Sequence, residues 1–293
     1  MTRLIDTLAE IGGQYDVLYC DLWGCLHNGL ELYPAAVAAL QDFRARGGAV
    51  ALMTNAPRTH GTVERRLERM GLPRDAWDVI VASGDATQEA MLLGAVGRKL
   101  WHIGPDSDED IFADIPEALA DQPPIELVGY EKAEGIICTG PFDPENFAPE
   151  EYRGRFLSAK TRGLTMLSAN PDIVVDYGER RIHCAGALAE LYQEMGGQVL
   201  SFGKPHPPIY DLARRKLGEK GITYSNDNVL AVGDGIQTDI AGAQAEGIDA
   251  IFLTGGLESK RFGSDVEKPD REALITWLEE QQFVPQYAMG RLR

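Results

Sequence analysis

The chain has 293 residues, 44% of them hydrophobic and 25% charged, which fits a soluble globular protein with a substantial core and room for two domains. Its 28 basic and 45 acidic side chains leave a net charge of −17, which repels a nucleic-acid backbone unless a local basic patch overrides it. Arg65-Arg66, Arg180-Arg181 and Arg214-Arg215-Lys216 are short and mixed with acids, and nothing approaches the roughly 18 apolar residues that span a bilayer, so neither nucleic acid nor membrane is an expected partner.

In chain order, Met1 to Gln14 shows amphipathic helical spacing at Leu4, Ile5, Leu8 and Ile11, without the continuous apolar core of a secretory signal. Val17 to Cys20 is an apolar run lacking the alternation of a half-exposed strand; it predicts a buried parallel strand ending on Asp21. Tyr33 to Gly47 predicts a helix with Pro near its start and Gly at its end. A second strand, Gly48 to Met53, ends at Thr54-Asn55, and a helix from about Thr59 to Met70 follows. Asp78 to Ala82 is a third strand, after which Ser83 is expected to cap a helix reaching Leu93.

From about Lys99 to Val199 the rhythm changes. Strand-like pieces at 100–103, 135–138 and 173–175 mix with helices at 147–160 and 185–195, and an acidic run, Asp106 to Asp110, predicts a solvated loop. The earlier rhythm then resumes with a helix from Pro207 to Leu217, a strand from Asn228 to Val232 and Gly233-Asp234. A helix from Thr238 to Gly247, a strand from Asp249 to Leu253 and a closing helix from Asp270 to Gln281 complete the chain. The expected fold class is therefore α/β: a doubly wound, Rossmann-like parallel sheet from 1–98 and 200–293, with a large α/β unit inserted at 99–199. Four cysteines, Cys20, Cys25, Cys138 and Cys184, show no paired metal spacing, so a reducing cytoplasm is the expected location.

Three core strands thus end in polar residues at one sheet edge: Asp21, Thr54-Asn55 and Asp234. Lys204, in Phe202-Gly-Lys-Pro-His206, precedes a helix. Taken singly, each has a bland role as a turn former, helix cap or solvated lysine. Jointly they supply two carboxylates, an ammonium, a hydroxyl and free amides. Two carboxylates at one edge repel, and a hard cation such as Mg²⁺ relieves them through oxygen ligands. The ammonium and hydroxyl suit a phosphoryl group, and a carboxylate is then placed to attack phosphorus.

Asp21-Leu-Trp-Gly, Thr54-Asn55, Gly203-Lys204-Pro205 and Gly233-Asp-Gly-Ile-Gln-Thr-Asp239 resemble, in order and spacing, the four motifs of the haloacid dehalogenase superfamily. Leu26-His-Asn-Gly29, Ser168-Ala-Asn-Pro-Asp172 and Thr238-Asp-Ile240 resemble its class IIA, nitrophenyl-phosphatase-type members. The resemblance covers nearly the whole chain. It implies Asp21 as nucleophile, Thr54, Asn55 and Lys204 around the phosphate, and Lys204 neutralising Asp21. It implies Mg²⁺ held by Asp21, the Trp23 backbone carbonyl and Asp234, with Asp239 supporting it directly or through water. The insert becomes a substrate-selecting cap in which Asn170 and Asp172 are candidates to face the substrate, a small phosphorylated metabolite. The sequence leaves a homo-oligomer open.

One departure matters. The superfamily's phosphatases carry a second Asp two residues after the nucleophile, which protonates the leaving oxygen and then activates water; here that residue is Trp23. General acid–base groups contribute roughly 10²–10⁴-fold, so weakened catalysis is expected. The same departure motivates two alternatives, a non-catalytic relative that binds a phosphorylated ligand or partner, and an enzyme cleaving a carbon–phosphorus or carbon–halogen bond. His27 could substitute if the loop folds it back, and a surface or core role suits it better.

Overall fold

The computed structural model describes residues 2–293. Its main sheet has seven strands, in the order Arg3–Leu4, Tyr287–Met289, Asp249–Leu253, Val229–Gly233, Val17–Asp21, Ala49–Thr54 and Val79–Ala82. Every pairing in it is parallel. The central strands are apolar on both sides because both faces are covered. Leu18, Cys20, Val50 and Leu52 join one apolar layer, and Val17, Tyr19, Ala51 and Met53 join the other. From Val17–Asp21 the next strands run outward one way, and those after residue 228 run the other. The strand order therefore reverses beside Asp21, where open α/β sheets form their ligand crevice.

Residues 99–201 contribute a separate five-stranded sheet, ordered Gln198–Ser201, Thr165–Ser168, Gly135–Cys138, Lys99–Ile103 and Glu126–Leu127, also all parallel. Helices Glu150–Thr161 and Ala185–Glu194 cover it, and the rings of Phe156 and Tyr192 meet there 5.1 Å apart, both fully buried. An antiparallel hairpin, Val174–Tyr177 with Arg180–His183, projects from this unit.

The structure corrects several local expectations. Leu8 and Ile11 are buried as their spacing implied, but from the first of two short 3-10 turns, Leu8–Glu10 and Gly12–Gln14, and from the residue that links them. Arg3–Leu4 pairs at the sheet edge instead of continuing a helix; Met1 lies outside the described residues. The helix expected from Thr238 begins as a wider π turn, Ile236–Ile240, before Ala241–Glu246 and a left-handed Gly247. Ser83 caps nothing: it is the first helical residue, and its buried hydroxyl makes no hydrogen bond. Within the acidic run Asp108 is buried, its carboxylate 2.8 Å from Arg58. Short strands at Thr165–Ser168, Arg180–His183, Gln198–Ser201 and Tyr287–Met289 carried too little pattern to be read.

Candidate functional site

Asp21 ends its strand opposite Met53, Thr54 ends the next, and Asp234 follows Gly233, so their side chains emerge at one carboxyl edge. Lys204 reaches this edge from the loop before the Pro207–Glu219 helix. Its ammonium lies 2.5 Å from Asp21 Oδ1 and 2.6 Å from Asp239 Oδ1, and donates to the Met53 carbonyl at 3.2 Å. Lys204 is only 4% exposed, and an unpaired ammonium there would be strongly destabilising. Burial opposes its charge, but the Asp21 and Asp239 carboxylates outweigh that and hold the ammonium well above its usual range.

The π turn places Asp239. Its amide donates to the Gly235 carbonyl at 2.9 Å, and Gly235 N–H donates back to Asp239 Oδ2 at 3.1 Å. Any Cβ on Gly233 would collide with that carboxylate. Asp239 is thus bonded to Lys204 and to its own turn.

Asp21 and Asp234 form the other half of the edge. Burial drives the Asp21 carboxyl up to about 7, with Lys204 opposing and Asp239 adding repulsion. Burial and then the charges of Asp21 and Asp239 push Asp234 well above the carboxylate range. Leu257 N–H holds Asp234 Oδ2 at 2.8 Å, and a Cβ on Gly24 or Gly256 would strike that carboxylate. Gly24 also has φ +77, which suits glycine. Asp21, Asp234 and Cys25 each present one donor atom, all within 4.8 Å of one another. Burial keeps the Cys25 thiol protonated, its pKa well above normal, so the carboxylate oxygens are the competent donors. Among the described residues none donates a hydrogen bond to the Trp23 carbonyl. Two converging carboxylates, with a carbonyl oxygen two residues past the first left without a donor, fit a hard divalent cation.

Thr54 is buried and accepts the Ala56 amide at 3.1 Å, leaving its hydroxyl hydrogen to give. Asn55 is more constrained than its sequence suggested. Its Oδ1 accepts Lys204 N–H at 2.7 Å, and its Nδ2 donates to Asp172 Oδ1 at 2.8 Å and the Lys204 carbonyl at 3.1 Å. Both amide hydrogens are engaged, so Asn55 clamps Lys204 and Asp172 and has no side-chain donor left over. Asn170 Oδ1 in turn holds the Asp172 amide at 2.9 Å. All these residues line one cavity of about 930 Å³.

Trp23 reaches across to the hairpin. Its indole N–H donates to the Asp176 carbonyl at 2.7 Å, and its ring lies 6.1 Å from that of Tyr177. Arg66, counted in the sequence only as part of a short basic pair, extends over this ring with its guanidinium carbon 5.0 Å from the centroid. No local pattern signals either contact.

His27 is a core histidine. It is 2% exposed, and its Nδ1 accepts Gly29 N–H at 3.0 Å, which fixes the neutral tautomer. Burial, then the charge of Arg66, lowers its pKa from 6.5 to about 4. The unfolded chain therefore binds this proton first, so its stabilisation is complete above pH 6.5 and is lost as pH falls towards 4. The loss reaches about 3 kcal/mol at most. Urea unfolding of His27→Gln should accordingly show a shallower decline with acid than the parent; parallel profiles would remove His27 as the cause.

A haloacid dehalogenase-like hydrolase family model matches residues 18–115, and a HAD-hydrolase-like model matches 201–276. A solved haloacid dehalogenase-like hydrolase from Brucella suis is 35% identical over 99% of this chain and 100% of its own, with a TM-score of 0.84. A possible sugar phosphatase from Cytophaga hutchinsonii shares the fold at 19% identity, covering 99% of each chain, with a TM-score of 0.77. A p-nitrophenyl phosphatase from Archaeoglobus fulgidus does so at 22% identity over 94% of this chain and 96% of its own, with a TM-score of 0.69. No curated protein sequence matched.

Proposed function

The chain belongs to the haloacid dehalogenase superfamily, and from that premise we propose that it is a Mg²⁺-dependent hydrolase of small phosphate monoesters acting through an aspartyl-phosphate on Asp21. The observation that carries this reading is the Lys204 ammonium held between Asp21 and Asp239 at the sheet's switch point. Lys204 opposes the burial that raises Asp21 and so favours its anionic, attacking form, and it gives the phosphoryl oxygens a fixed positive charge; the Thr54 hydroxyl supplies a donor beside it. Asp21, Asp234 and the Trp23 carbonyl would hold the metal, with Asp239 behind it. When bound, the metal offsets the phosphoryl group's negative charge and relieves the Asp21–Asp234 repulsion. The similarity of the fold to nitrophenyl- and sugar-phosphatase structures supports the same reaction class.

Trp23 occupies the place of the superfamily's acid–base carboxylate, and its side chain is spent on the hairpin. We read the result as a phosphatase with weakened general acid–base catalysis. The same residue favours the second reading, a protein that binds a phosphorylated ligand without turnover. Phosphate release from a panel of monoesters, with and without Mg²⁺, separates them: metal-dependent release supports hydrolysis, and none from any member supports binding alone.

The metal reading makes its own prediction. Asp234→Asn removes a ligand charge without changing volume, so Mg²⁺ affinity by calorimetry should fall strongly while the fold persists. Unchanged affinity would remove Asp234 as a ligand.

We also propose that 99–199 acts as the substrate-selecting cap over a core of 1–98 and 200–293, with Asn170 and Asp172 facing the site. Closure would exclude water from it. Hydrogen exchange near residues 98–100 and 198–201 should then fall when Mg²⁺ and a phosphate analogue bind. Connections fully protected in both states would argue for one rigid unit.

A further inference from the structure

Arg66, like Arg69 and Arg291, lines the cavity without a carboxylate partner among the described residues, and of these three it is the one stacked on Trp23, two residues past Asp21. It projects from the His60–Arg69 helix, is partly buried, and hydrogen-bonds only to a carbonyl, that of Gly29, at 2.9 Å. Among the described residues no carboxylate lies within ion-pair distance of it. Burial lowers its pKa, Tyr177 opposing, and the neighbouring charges of Arg58 and Arg69 lower it further. Arg58, on the same cavity, has its acid in Asp108 at 2.8 Å. In a chain of net charge −17, a half-buried guanidinium facing like charges is an anomaly, because desolvated cations are ordinarily paired.

The guanidinium is held firmly in place. The Trp23 ring lies beneath it and is pinned in turn by its indole bond to Asp176 and its contact with Tyr177. Gly29, at φ +88, lets the loop pass, since a Cβ there would lie 2.6 Å from Trp23 Cζ2 and 2.9 Å from Tyr177 Cδ2. Trp23 is only two residues past Asp21, and both line the same cavity as Arg66. The charge therefore sits on the hairpin side of the cavity that holds the phosphoryl site.

Resting on the phosphoryl site proposed above, we propose that Arg66 is the second anion subsite of this cavity, and that the substrate is a phosphate monoester whose leaving group carries a carboxylate or other anionic group. Guanidinium suits this role because it remains charged and can grip a carboxylate with two parallel hydrogen bonds. Trp23 is then the positioning residue that aims it.

The test uses phosphonates that cannot be hydrolysed. Phosphonoacetate, 3-phosphonopropionate and 4-phosphonobutyrate would each be compared with the alkylphosphonate of equal length, by calorimetry on the intact protein with Mg²⁺. The carboxylate should tighten binding of at least one length by roughly 10- to 100-fold, the range of a charge-assisted contact. That advantage should collapse towards unity in Arg66→Gln and return in part in Arg66→Lys, with unchanged thermal melting as the check on folding. A carboxylate that helps at no length, or one that helps equally in Arg66→Gln, would overturn the subsite. Because binding is read directly, a preference found in a protein that hydrolyses no monoester would retain the subsite and defeat the hydrolase reading.

Discussion

Lys204→Met should abolish turnover and lower stability by about 3–5 kcal/mol, the usual cost of removing one partner from a buried ion pair. Lys204 bridges two carboxylates, and the side chains of all three residues are at most 10% exposed. Methionine fills the stem's volume but leaves Asp21 and Asp239 buried without compensation. Asp21, whose rise the ammonium opposes, would respond by taking up a proton. The deficit should therefore narrow in acid, where Asp21 is neutral, and in the presence of Mg²⁺, which replaces part of the lost charge. Urea unfolding at neutral and acid pH, with and without Mg²⁺, reads both effects. A deficit below about 1 kcal/mol, the range of exposed ion pairs, would mean that the site relaxes or hydrates and that Lys204 is not the keystone of the edge.

The second large effect follows from Trp23. With no carboxylate at this position, the first chemical step lacks a proton donor for the leaving oxygen. Nitrophenyl phosphate has an acidic leaving group that needs none, so it should still phosphorylate Asp21. Alkyl phosphates should react more slowly by up to roughly 10²–10⁴-fold, the contribution of a general acid. The second step loses its base whatever the substrate, so the acyl phosphate should accumulate. The expected trace is a burst of nitrophenol near one equivalent per active site, followed by slow turnover. Trp23→Asp should accelerate the slow phase, although it also gives up the indole bond to Asp176 and the support of Arg66. Equal rates for alkyl and aryl substrates with no burst would require another proton donor. His27 is poorly suited to that task, being neutral at physiological pH and accepting the Gly29 amide.

Much of this site was legible because buried parallel strands write themselves as unbroken apolar runs. The runs ending at Asp21, Thr54 and Val232 locate one edge, and polar residues immediately after them have one place to be. Lys204 was legible only in that company, since nothing about an isolated Gly-Lys-Pro announces burial at 4%. The N-terminal helix failed for a physical reason: apolar spacing records which side chains are buried, and Leu8 and Ile11 achieve that from a 3-10 turn and the link to the next one. The wall opposite the nucleophile was not legible at all. Trp23 meets Asp176 across 153 positions of sequence, and Arg66 meets Gly29 across 37. Neither partner uses a side-chain atom in the bond, so no residue type marks the pairing. Asn55 shows the converse, a residue drawn to the edge by its sequence position whose side-chain amide clamps Asp172 and Lys204, contacts that no sequence pattern announces.

The central claim is that Asp21 attacks phosphorus. The protein would be mixed with nitrophenyl phosphate and Mg²⁺, quenched in acid during the burst, and weighed intact, then as peptides. The account predicts a mass increase of one phosphoryl group on the peptide carrying Asp21, absent from Asp21→Asn and from samples without Mg²⁺. Nitrophenol released with no phosphoryl adduct at any quench time, or an adduct on a peptide lacking Asp21, would contradict it.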